Sequence, residues 1–93
     1  MIESFKDKRT ARVFLGEVPK QLSANVARAA YETLLVLDHA KTLRDLKGVS
    51  LSLEALKRDR RGQHAIRISQ GWRLCFEWRD GHAYEVEISN HYD

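Results

Sequence analysis

The chain has 93 residues, 43% apolar and 31% charged, a composition that excludes a disordered segment and predicts one globular domain over residues 1–93. No window approaches the roughly 18 consecutive apolar residues of a membrane span, and the start, Met1-Ile2-Glu3-Ser4-Phe5-Lys6, lacks the organisation of a signal peptide. A single cysteine, Cys75, excludes an internal disulfide or a thiolate metal quartet, and the net charge of +3 is moderately basic, so a cytoplasmic protein without membrane, metal or cofactor is expected.

After an extended start (Ile2 to Phe5), Asp7 is placed to cap a first helix running to about Leu15, with Gly16 as its stop. Pro19 suits the first turn of a second helix. Leu22, Val26, Ala30, Leu34 and Leu37 recur at helical spacing through about His39. Thr42 and Asp45 form an aspartate version of the capping box for a short turn ending at Gly48. A strand is expected around Leu51–Leu56.

Residues 64–90 alternate as strands do: Ile66 and Ile68, then Trp72, Leu74, Phe76 and Trp78, then Tyr84, Val86 and Ile88. Ser69-Gln70-Gly71 and Arg79-Asp80-Gly81 separate these runs. A two-residue Asp-Gly turn would set Phe76 opposite Glu85 and Leu74 opposite Glu87, mixing apolar and charged residues on one face. Three-residue loops remove the conflict, pairing Trp78 with His82, Phe76 with Tyr84, Leu74 with Val86, Ile68 with Trp72 and Ile66 with Leu74. The predicted class is α+β: N-terminal helices packed on one face of a three- to four-stranded antiparallel sheet.

Basic charge concentrates in the C-terminal half. Residues 57–61 read Lys57-Arg58-Asp59-Arg60-Arg61, and arginines follow at Arg67, Arg73 and Arg79. This is either an electrostatic footprint for nucleic acid or a solvated basic turn. The strand register adds a second observation. Arg67 falls opposite Arg73, and Arg73 opposite Glu87, on the face away from the helices. Like charges directly opposed are destabilising, so the pair reads as a site for an anion such as phosphate. The competing reading is a surface ion-pair ladder closed by Glu85 and Glu87.

Ribonuclease chemistry needs a positioned 2′-hydroxyl, stabilisation of the phosphorane and assistance to proton movement. Arginine fits the second role, histidine proton transfer, and tyrosine base stacking. The tail Asn90-His91-Tyr92-Asp93 supplies the last two, although a terminal His-Tyr pair is commonly incidental. His64 points with Ile66 toward the apolar face and reads as structural. His39 ends a helix and His82 sits beside a hairpin tip. Cys75 shares the polar face with Arg73 and reads as a small packing residue. Trp72, Phe76, Trp78 and Tyr84 alternate inward as core.

The stretch from Leu53 to Ile68, with Leu56-Lys57-Arg58-Asp59-Arg60-Arg61-Gly62 at its centre, resembles the signature of HigB-type toxins of the RelE/ParE superfamily. So do Gly71-Trp72-Arg73-Leu74-Cys75-Phe76-Glu77-Trp78 and the segment Asp80 to Ile88, and the similarity spans essentially the whole chain. The resemblance implies a RelE-like, microbial RNase-like fold and a type II toxin. It implies a metal-independent endoribonuclease that inhibits translation by cleaving mRNA in the ribosomal decoding site. The implied partners are the ribosome, mRNA and a helix-turn-helix, HigA-like antitoxin, with operator DNA reached only through that antitoxin.

By matching position, Arg73 takes the part of the arginine that stabilises the transition state, and Lys57 and Arg60 contact the mRNA backbone. The family's terminal Asp-Tyr-His lines up with Asn90-His91-Tyr92, where an amide replaces the carboxylate and histidine and tyrosine are exchanged. The expected catalytic set is therefore Arg73, His91 and Tyr92. The expected RNA contacts are Lys57, Arg58, Arg60, Arg61 and Arg67. Two alternatives stand beside this reading: a ParE-like inhibitor of DNA gyrase with the same fold, and a non-catalytic RNA- or protein-binding module.

Overall fold

A computed structural model describes residues 1–47, 53–57, 61–69 and 71–90. Helix α1 spans Lys8–Phe14 and is capped as its sequence predicts, with the Asp7 carboxylate accepting from the Thr10 amide at 2.8 Å. Helix α2 spans Ala24–His39. It starts five residues later than Pro19 would have it, because the Ser23 hydroxyl accepts from the Val26 amide at 3.2 Å and satisfies an otherwise orphaned donor. Pro19 instead lies in the connection, its carbonyl accepting from Leu22. Helix α3, Leu43–Lys47, carries the expected capping box. The Asp45 carboxylate accepts from the Lys41 and Thr42 amides at 2.9 and 3.1 Å, and these bonds hold its carboxyl below the usual range. The expected stop at Gly48 lies outside the described residues.

Four strands follow as an antiparallel meander in sequence order: β1 (Leu53–Ala55), β2 (Gln63–Ser69), β3 (Trp72–Arg79) and β4 (His82–Ser89). β1 falls within the expected Leu51–Leu56 strand, of which Leu51 and Ser52 are outside the described residues. The extended N-terminal segment runs parallel to the free edge of β4. Ile2 bridges to Ala83 and Phe5 to Val86, with the Glu3 and Lys6 amides donating to the Ala83 and Val86 carbonyls. The helices cover one sheet face. Val13 of α1, Val26, Ala30, Leu34 and Leu37 of α2 and Leu46 of α3 are buried with Ile66, Leu74, Phe76, Ala83, Val86 and Ile88 of the sheet. Among the described residues no helix is long and apolar enough to cross a membrane.

The register corrects the expected hairpins. Ile66 does face Leu74 and Arg67 faces Arg73, but Ser69, not Ile68, faces Trp72. Between β3 and β4 the turn has two residues, with Arg79 facing His82 and Trp78 facing Ala83. Asp80 and Gly81 both take positive φ, 51° and 82°, as a type I′ turn requires. A side chain at Gly81 would also come within 3.2 Å of the Lys41 carbonyl. The clash of phase that argued against this turn is real, and the chain resolves it elsewhere. Cys75 faces Glu87 while Glu77 faces Tyr84, so the single residue Phe76 opposes both Glu85 and Val86. Glu85 is the extra residue of a β-bulge, at φ 52°. The bulge turns Val86 and Ile88 inward and Glu87 outward.

Candidate active site on the open sheet face

The face away from the helices alternates with the core face, so its residues follow from the register. One row across the sheet is Glu54, Ala65, Cys75 and Glu87; the next is Arg67, Arg73 and Ser89; a third holds Gln63, Glu77 and Tyr84. Leu56, Ala65 and Cys75 form a small buried cluster here, separate from the main core. Cys75 is therefore a packing residue, as expected.

Arg73 stands on this open face, opposite Arg67, as predicted. Its acidic neighbour differs from the expected one. The bulge moves Glu87 along to Cys75, and Ser89 takes the place across from Arg73. Arg73 instead pairs with the Glu54 carboxylate, reaching diagonally over β2 past Ala65, whose methyl group leaves room for the crossing. The Arg73 side chain is 14% exposed and that of Glu54 49%, so the pair is open to solvent on the carboxylate side. Glu87 is held by Lys6 at 3.6 Å. The face thus carries two arginines drawn together by strand pairing, one balanced by a carboxylate and the other, Arg67, exposed.

Lys57 and Arg61 are exposed at the opposite end of β2 from Arg67, which four residues of strand place roughly 13 Å away. They flank the site along the direction of the strands and do not join the Arg67–Arg73 row. Arg58, Arg60, His91 and Tyr92 lie outside the described residues. Tyr84 is corrected: the bulge places it outward opposite Glu77, with the Arg79 guanidinium 4.0 Å from its ring centroid. His64 faces inward as expected, stacked on Phe76 at 5.9 Å between ring centroids. Burial holds its imidazole below the ordinary pKa.

The resemblance aligns Glu54 with a histidine of some family members, but neither Glu54 nor Lys6 is among the expected site residues. Glu54 was legible only through the pairing of β1, a short strand whose alternation is too brief to set a face by itself. Lys6 reaches the sheet through a parallel pairing that no local pattern announces. Among the described residues no three His, Cys, Asp or Glu side chains are grouped as ligands of a metal ion would be. What the face offers chemically is a fixed bidentate donor, a second cation beside it and an accessible carboxylate, an arrangement suited to a charged phosphodiester.

A family model described as the RelE-like toxin of type II toxin–antitoxin system HigB matches residues 3–91. The chain is 28% identical over 92 residues to the Endoribonuclease HigB of Proteus vulgaris, covering 99% of this chain and 100% of that protein. The chain belongs to the HigB-like family of RelE-like toxins of type II toxin–antitoxin systems.

Proposed function

We propose that this chain is a ribosome-dependent endoribonuclease that arrests translation by cutting mRNA in the decoding site, held in check by a helix-turn-helix antitoxin of HigA type. The observation that carries the reading is the position of Arg73, on the sheet face left open by the helices and directly across from Arg67. In such a cut the ribose 2′-oxygen attacks its own phosphorus, the P–O5′ bond breaks, and negative charge builds on the phosphoryl oxygens between. The planar fork of Arg73 donates two hydrogen bonds to those oxygens, and Arg67 supplies a second positive charge nearby. This scheme needs no metal. Lys57, Arg58, Arg60 and Arg61 would hold backbone phosphates on either side, and His91 and Tyr92 would serve proton transfer or stacking.

Loss of a donor that acts on developing charge lowers a rate by roughly 10²–10³-fold. R73A should therefore abolish growth arrest and reduce cleavage of ribosome-bound mRNA by about that factor, with circular dichroism unchanged. Mapping transcript 5′ ends after induction of the wild-type chain should give cuts phased to codons. Broken DNA with intact transcripts would instead identify a gyrase inhibitor. Undiminished toxicity of R73A would remove Arg73 from the mechanism.

A further inference from the structure

We infer, on the ribonuclease reading above, that Tyr84 and Arg79 form a stacking platform for one base of the bound mRNA, apart from the Arg67–Arg73 row. Alternation along β3 turns Arg73, Cys75, Glu77 and Arg79 outward together. On β4 the bulge at Glu85 puts Tyr84 on that same open face, whereas unbroken alternation back from Val86 would bury it.

The two side chains are held against each other. The Arg79 guanidinium lies over the Tyr84 ring, 4.0 Å from its centroid. Glu77 meets the same guanidinium from the side, its Oε1 3.8 Å from Nη2. Tyr84 beneath and Glu77 at the rim thus fix the plane of the guanidinium. The Arg79 side chain remains 61% exposed, so the face turned away from the ring is open. A planar, delocalised cation presented in this way is a surface on which a nucleobase stacks.

The charge at this end of the sheet suits a strand of RNA. Lys57 and Arg61 are both exposed beside Gln63, whose carbonyl accepts from the Leu56 amide at 2.9 Å. Gln63 in turn faces Glu77 on β3. Two cations therefore stand on the β2 side of the platform, where they can take the phosphates of the nucleotide whose base stacks on it. Four residues of β3 put Arg73 about 13 Å from Glu77, so this nucleotide lies along the strand from the scissile linkage and is not part of it. Every base has a face that stacks, so the platform anchors the strand and does not select codons.

The test is single-turnover cleavage of a short mRNA on programmed ribosomes, with the wild-type chain, R79K, Y84F and the R79A/Y84A double variant titrated over the substrate. Losing one stacked base costs about 5–150-fold in affinity, so R79A/Y84A should need that much more protein to reach half its maximal rate. R79K keeps the charge without the plane and should lose affinity, whereas Y84F keeps the ring and should retain it. A second series replaces one base of the mRNA at a time by an abasic site. At one position this should weaken the wild-type chain and leave the double variant unaffected. Binding to ribosomes that carry no mRNA should be equal for the two chains; a loss there would give the patch to ribosomal RNA and overturn the platform. So would a double variant that half-saturates with the wild-type chain, or an abasic series in which no position separates the two. All three results leave the ribonuclease standing. A wild-type chain that cuts no mRNA overturns both readings.

Discussion

His64 shows how far one residue can be read, and what its surroundings add. Its alternation with Ile66 predicts the helix-facing side, and the ring does stack on Phe76 there. Burial penalises the charged imidazole, so its folded pKa lies below the ordinary value of about 6.5. Below about pH 6.5 the unfolded chain therefore binds more protons than the folded one, and stability falls as pH drops from there toward the lower folded value. H64F removes the titrating group and keeps an aromatic ring against Phe76. Urea midpoints should drop between about pH 7.5 and about pH 5.5 for the wild-type chain, and markedly less for H64F. Equal drops would place the pH sensitivity elsewhere. Tyr84, by contrast, was misread as core, because its orientation depends on an insertion in the strand pairing that its own neighbours do not reveal.

At the scale of an element, that insertion is the instructive case. The alternation of β4 conflicts with an Asp-Gly turn, since Ala83, Glu85 and Glu87 would share the inward face. The conflict was legible in the sequence; the place where the chain absorbs it was not. The expected remedy was an extra residue in the turn, whereas the bulge at Glu85 restores the phase three residues later. Two tertiary contacts make that site favourable. The Glu85 amide donates to the Ser4 hydroxyl at 2.9 Å and the Val86 amide to the Ser4 carbonyl at 3.1 Å, so the N-terminal segment satisfies the donors of the bulge. A non-glycine residue at positive φ costs of order 1–2 kcal/mol. E85G should therefore be neutral or stabilising by up to about 1 kcal/mol, and E85V destabilising by about 1–2 kcal/mol, in urea denaturation. Deleting Glu85 should leave a folded but less stable chain, because Phe76 then faces Val86 while Cys75 still faces Glu87 and Leu74 still faces Ile88, so the core phase survives and only the Ser4 bonds to the bulge are lost. An unfolded deletion variant would show that the fold needs the bulge itself and not only the phase it sets.

Across the whole molecule, the division into helices first and meander second followed from periodicity, as did the open face that carries Arg67 and Arg73. The closure of the β4 edge did not, because parallel pairing between residues some eighty positions apart leaves no local pattern. That edge is covered by the N-terminal segment through the Ala83 and Val86 bonds. The segment is also fastened outside the sheet: the Ile2 amide donates to Asp38 of α2 at 2.9 Å, and Glu3 meets His82 at 2.8 Å. Ile2 and Phe5 pack against the core, Phe5 with Phe14 of α1 at 5.5 Å between ring centroids. Removing residues 2–5 thus does two things at once. It strips the partial apolar cover of Ile2 and Phe5, each contributing less than the roughly 1.5–3 kcal/mol of a fully buried large side chain, and it leaves unpaired donors and acceptors along a strand next to buried residues. The truncated chain should unfold at lower urea and associate with rising concentration in size-exclusion chromatography, beyond whatever the full chain does. Substituting only Asp38 by alanine separates the two effects, because it loosens the fastening while keeping the edge paired. It should lower the midpoint modestly without promoting association. If the truncated chain neither loses stability nor associates, β4 tolerates an open edge, and Ser4 is not what holds the bulge in place.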